Sequence, residues 1–369
     1  MGVLDWFKSR FKEEAKKYIY TEIDPKHVKF NNNHEINPDS LKAGNHYFRL
    51  WLVEMFLKND RDWFKSWYPA VHSAVRFTFG DKDELITHVA GPTRLKDIGP
   101  DNLDKVVSVN HQLTSLVPFN GGEVEIDAGL LAMQGKDDLK GFLKVLGDFS
   151  SLLVVPQLSA ALAVATPLAN GVSELVGSTN GKLVLGLHDT WTAGEGGDNL
   201  LREKYFAVIL AEENQIKKDK LWVENDRLKL GDSQSSSKFL TGFNYMLFRI
   251  ERQNEFDSWD SLTSIKQPFD QALLMLKAGN KDEAAALIKQ AKLAAYNAKE
   301  LTRDIDSRRI IDIIQKRFDT AKEFLGSGAF EKFNNSLETA MSAPGVMSPE
   351  EAASKGRLRL ADLGLEDRA

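Results

Sequence analysis

From residue 71 the chain alternates apolar and polar side chains with a period of two. Val71, Ser73, Val75, Phe77 and Phe79 fall on one side, and His72, Arg76 and Thr78 on the other. That is the signature of a half-buried strand. Gly80-Asp81 then reads as a turn. Leu85–Val89 and Val106–Val117 are further strands by the same test. In Glu123–Leu131, Val124, Ile126 and Leu130 alternate with Glu123, Glu125 and Asp127. Strands resume at Lys182–His188, Tyr205–Leu210, Leu221–Val223 and Tyr245–Arg252. About eight short strands between residues 71 and 252, several joined by Gly- or Asp-containing turns, predict a largely antiparallel β-sandwich or barrel-like domain rather than a doubly wound sheet.

Helical periods flank this region. In Val3–Tyr20, Val3, Phe7, Phe11, Ala15 and Tyr18 share a face, with five basic and three acidic residues around it. This fits a helix docked on its own domain. A basic helix with Trp and Phe also suits an anionic membrane surface. Residues 21–46 form a polar connection. Tyr47–Tyr68 carries Trp51, Trp63 and Trp67 and reads as a core helix plus a turn, with a recognition surface as the alternative. After residue 257 the period returns to 3.6. Pro268–Ala278 is a helix stopped by Gly279. Asn280 caps the next, in which Ala284, Leu287, Ile288, Ala291 and Ala295 share a face. A longer helix carries Ile310, Ile314, Ala321 and Leu325. The stretch Leu276–Ala291 resembles one helical hairpin of a tetratricopeptide-type repeat. No second copy follows, so a small bundle is expected rather than a stacked array.

One stretch breaks both patterns. Phe149–Ser173 has 25 residues and no charge. Its length would cross a bilayer, but Pro156 and Pro167 divide it into pieces of about ten residues, the length of buried core helices. Asp137–Gly177 is therefore expected as a helical insertion of two or three short helices packed on the sheet. The resulting fold class is α+β: a helical, aromatic-rich segment at 1–70, an antiparallel β domain at 71–256 with the insertion at 137–177, a C-terminal helical bundle at 257–340 and a mobile tail at 341–369.

Composition narrows the chemistry. A net charge of −5 and a pI near 5.9 lack the basic field of a nucleic-acid binder. The absence of cysteine excludes disulfides, thiolate metal sites and a cysteine nucleophile. No secretory leader pattern is visible, and Trp6 stands where a myristoylation signal needs Ser or Thr. A cytoplasmic protein is expected.

The candidate motifs fail on spacing. Gly177–Lys182 has three residues between its glycines where a phosphate loop needs four, and Leu183 follows the lysine. Gly194-Glu195-Gly196-Gly197 lacks the third glycine of a dinucleotide fingerprint, with Asn199 in its place. None of the seven histidines forms an H-E-x-x-H or H-x-H pair. His72, His88 and His111 would hold zinc only if their strands brought them together. His188-Asp189 is the most enzyme-like pair, but neighbours in a strand point to opposite faces, and no nucleophile elbow accompanies it. The sequence therefore yields no catalytic, cofactor or metal residues and no cofactor. The expected function is a non-enzymatic interaction or regulatory protein that binds a protein partner through its C-terminal helices and tail. The alternative is a membrane-active effector that releases residues 149–173 and the N-terminal helix, and a hydrolase is third.

Overall fold

The computed structural model describes residues 18–30, 34–58, 67–90, 107–134, 182–193, 199–303 and 305–326 of the 369-residue chain. The chain divides into two compact units, residues 1–267 with 291–311 and residues 268–290 with 312–369. The class is α+β with mostly antiparallel sheets. The expected insertion at 137–177, the expected tail at 341–369 and residues 1–17 of the expected N-terminal helix lie outside the described residues.

Three sheets build the first unit. The central one runs β1 (Ile19–Glu22), β10 (Lys204–Ile209), β14 (Tyr245–Gln253), β3 (Tyr47–Phe56), β6 (Val107–Gln112), with β7 (Val117–Pro118) also paired to β3. A second runs β5 (Lys82–Ala90), β4 (Trp67–Phe79), β8 (Glu123–Gln134), β9 (Lys182–Thr192). A third runs β13 (Lys238–Phe239), β12 (Arg227–Leu230), β11 (Leu221–Glu224), β2 (Val28–Lys29). Only the β11–β2 pair among these is parallel. Among the described residues each strand path has two open ends, so none of the sheets closes into the barrel that the sequence left possible.

The central sheet is apolar on both faces. Phe48, Leu50, Leu52, Phe206, Val208, Met246 and Phe248 join one core cluster with Val71, Val75, Phe77, Ile126, Leu130, Leu185 and Leu187 of the second sheet. Val53, Phe56, Tyr205, Ala207, Ile209 and Leu247 join another with Val28, Leu221, Val223 and Leu228 of the third. A β-bulge in β3 makes this possible. Leu247 pairs with Glu54 and Phe248 with Leu52, so Val53 is the extra residue. The extra residue shifts the alternation by one. Leu50 and Leu52 before it and Met55 after it therefore reach the same core.

Burial on both faces also accounts for a correction. Where it is described, the segment 1–70 is built of strands, with one short 3-10 turn at Pro25–His27 as its helical part. Ile19–Glu22, Val28–Lys29 and Tyr47–Phe56 are strands, and β3 lies at the heart of the central sheet. Apolar residues on both faces erase the period of two, so YFRLWLVEMF resembles a buried helix. The domain limit drawn at residue 71 thus cuts away a strand that the β region requires.

Three helices follow: α1 (Thr263–Lys277), α2 (Lys281–Asn297) and α3 (Asp306–Gly326). Helix α1 starts five residues before the expected Pro268, whose missing N–H costs one bond inside the helix. On α2, Ala284, Ile288, Ala291 and Ala295 are buried, but Leu287 is half-exposed. The buried spacing of four, three and four places Leu287 at the edge of the stripe rather than in it. On α3 the buried face is Ile310, Ile314 and Phe318. Among the described residues no helix is long and apolar enough to cross a membrane.

Candidate partner-binding cleft

The end of α2 and the link to α3 line a cleft of about 680 Å³ in the first unit. Its other wall is formed by Ala43, Gly44, Asn120 and the Gly80-Asp81 turn between β4 and β5. Gly80 has a φ of +64°, which glycine adopts without strain, and the Lys299 side chain lies across it. A β-carbon at Gly80 would come within 3.1 Å of Lys299 Cδ.

The link is held firmly from beneath. The Tyr47 hydroxyl of β3 donates to Asp306 Oδ2 at 2.7 Å and accepts from the Thr302 amide at 2.8 Å. Asp306 also accepts from the Phe256 amide and from Arg309 Nε. Tyr47, Thr302 and Asp306 are fully buried. Burial pushes the Tyr47 hydroxyl well above the usual tyrosine range, so it stays protonated and donates to the carboxylate. This network fixes the segment that presents Lys299 and Arg303 to the cleft. Among the described residues neither cation is ion-paired, and Asp81 is the one acidic side chain in the lining. Tyr296 on the cleft wall and Leu293 one turn earlier are both about 60% exposed, at 59% and 61%. They stand at i and i+3 on α2 and so form one apolar patch.

The cleft is poor in catalytic chemistry. Among the described residues Ser307 is its one hydroxyl-bearing side chain besides Tyr296, and no histidine lines it. The enzyme-like residues lie elsewhere. His188 and Asp189 point to opposite faces of β9. His188 Nδ1 bonds Asp127 Oδ1 at 3.0 Å on the adjoining strand, while Asp189 accepts from the Asn199 side chain and the Thr190 amide.

His72, His88 and His111 do not gather into one site. His88 sits opposite Ser73, on the face that carries Val71 and Val75, and its ring meets that of His111 on β6 at 5.7 Å. His72 takes the alternate position on β4, facing away from that core. Burial pushes His72 and His88 down to about 3 and His111 to about 4, so all three are neutral at pH 7.

Two features were beyond sequence reasoning. The cleft joins residues from five parts of the chain. The second is a group formed by Glu125, Asp127 and His188, whose ligand atoms all lie within 4.8 Å of one another. The Glu123, Glu125, Asp127 stripe is visible in the sequence, but its partner on β9 depends on strand register.

Comparison with protein-family models, with curated protein sequences and with solved structures finds no match to this chain.

Proposed function

We propose that this is a non-enzymatic interaction or regulatory protein, and that its partner docks on the C-terminal helices with the cleft as anchor. One observation carries the reading. Of the seven large apolar side chains left exposed among the described residues, five lie between residues 274 and 324: Leu274, Leu293, Tyr296, Ile305 and Phe324. Scattered apolar exposure is ordinary, but Leu293 and Tyr296 stand one turn apart on α2 within the first unit, and an adjoining exposed pair supports an interaction surface there.

Beside Tyr296, Lys299 and Arg303 outweigh Asp81, which favours a partner segment that is acidic and carries an apolar anchor. The residues at 341–369 belong to the same proposal as a second docking segment. The β region is proposed to be a sandwich, supported by the core cluster shared between the central and second sheets. A cytoplasmic site of action is compatible with the cysteine-free composition.

The test is affinity capture from the native source with quantitative mass spectrometry. Wild type is compared with the Leu293→Asp/Tyr296→Asp double variant, both positions being exposed. The reading expects a discrete protein retained by wild type and lost from the variant. Identical profiles would remove this surface from the account, and retention on liposomes instead would favour the membrane-active alternative.

A further inference from the structure

We propose that Glu125, Asp127 and His188 form a divalent-metal site of the zinc class on the second sheet, separate from the cleft. Two neighbouring strands build it. Glu125 and Asp127 stand at i and i+2 on β8 and therefore share a face. The core residues Val124, Ile126 and Ala128 take the alternate positions. Asp127 pairs with His188 in the β8–β9 register, which puts the imidazole on that same face. A one-residue slip would separate them.

The distances suit the metal. Tetrahedral zinc with nitrogen and oxygen ligands at about 2.0–2.1 Å holds its ligand atoms about 3.3 Å apart. His188 Nδ1 lies 3.0 Å from Asp127 Oδ1 and 3.8 Å from Glu125 Oε1, values on either side of that separation. Arg76 Nη1 holds the other Glu125 oxygen, Oε2, at 2.8 Å, which leaves Oε1 directed at His188. A neighbour that occupies the outer oxygen and aims the inner one is how ligating carboxylates are commonly oriented.

Charge points the same way. The Asp127 side chain is 3% exposed and that of Glu125 17%, so two carboxylates lie close together and largely out of water. Arg76 pairs with Glu125, and a divalent ion between the two carboxylates would take the place of the proton shared by His188 Nδ1 and Asp127 Oδ1. An imidazole beside two carboxylates favours zinc over calcium or magnesium, which prefer oxygen alone. The His188 side chain is 53% exposed, so a three-residue set leaves a fourth position toward solvent, for water or for a donor group from a partner.

The experiment is calorimetric titration of the chelator-stripped full chain with zinc chloride. One equivalent should bind with micromolar or tighter affinity. His188→Gln, at a half-exposed position where folding should survive, should weaken binding at least tenfold, and Glu125→Gln should do the same. Circular dichroism of each variant separates lost ligation from lost fold. Weak binding that is equal in wild type and His188→Gln would mean adventitious uptake by other surface histidines and would overturn the proposal. So would the absence of saturable binding.

Discussion

Replacing Tyr47 with phenylalanine removes one oxygen and keeps the ring. In the buried site that oxygen serves two partners, the Asp306 carboxylate and the Thr302 amide. A bond to a charged group contributes about 1.5–3 kcal/mol, and a buried amide left without an acceptor costs about 1–3 kcal/mol. Asp306 keeps its bonds to the Phe256 amide and Arg309, so its charge is not abandoned. The expected loss is therefore about 3–5 kcal/mol. With a urea slope of about 3 kcal/mol/M, the unfolding midpoint should fall by about 1–1.7 M. Tryptophan fluorescence gives the readout. Tyr18→Phe, at a side chain 48% exposed, is the control and should shift stability by less than about 0.5 kcal/mol. A Tyr47→Phe midpoint within about 0.3 M of wild type would refute the network as the clamp beneath the cleft.

Acid should weaken the fold through the buried histidines. His72, His88 and His111 titrate at about 3, 3 and 4 when folded, against about 6.5 when unfolded. The unfolded chain thus binds more protons between these values, and stability should fall as pH drops from about 6.5 toward 4, by at most about 1.4 kcal/mol per histidine per pH unit. Urea midpoints that stay flat over that window would contradict their burial. On α2, Ile288→Ala should cost about 2–5 kcal/mol and Leu287→Ala clearly less, since only Ile288 is fully buried. Equal losses in thermal melts would count against this placement. Glu54 is fully buried and accepts from Arg227 Nε at 2.6 Å, the Leu228 amide at 2.8 Å and the Tyr245 hydroxyl at 3.0 Å. Glu54→Ala orphans the last two donors and should destabilise by about 2–5 kcal/mol. A melting temperature unchanged within error would argue against that network.

What the sequence revealed followed from alternation of polar and apolar residues. Strands β4 and β8 both carry such a stretch, and Val71–Phe79 and Glu123–Leu131 were legible within them, while Trp67–Ala70 and Ala132–Gln134 were not. The C-terminal helices were legible from Gly279, Asn280 and the 3.6-residue period. Strand β3 was not, because both its faces meet a core and the bulge at Val53 shifts its phase. Strand β12 was missed for a different reason. It follows a turn made by Asn225 and Asp226, both at positive φ and with no glycine to announce it. The cleft could not be read at all, since Gly80, Asn120, Tyr296 and Lys299 meet only through tertiary packing. His188 was singled out beside Asp189, its neighbour in sequence, while the partner that matters is Asp127, its neighbour in register.

The central claim is that the exposed face of α2 beside the cleft meets a protein partner. Site-specific photo-crosslinking tests it most directly. A photoreactive phenylalanine analogue placed at Tyr296, in the full chain and in the native source, should yield a discrete adduct with another protein. The same analogue at Phe239, 46% exposed on β13, should not yield it. No adduct from position 296, or the same adducts from both positions, would contradict the account.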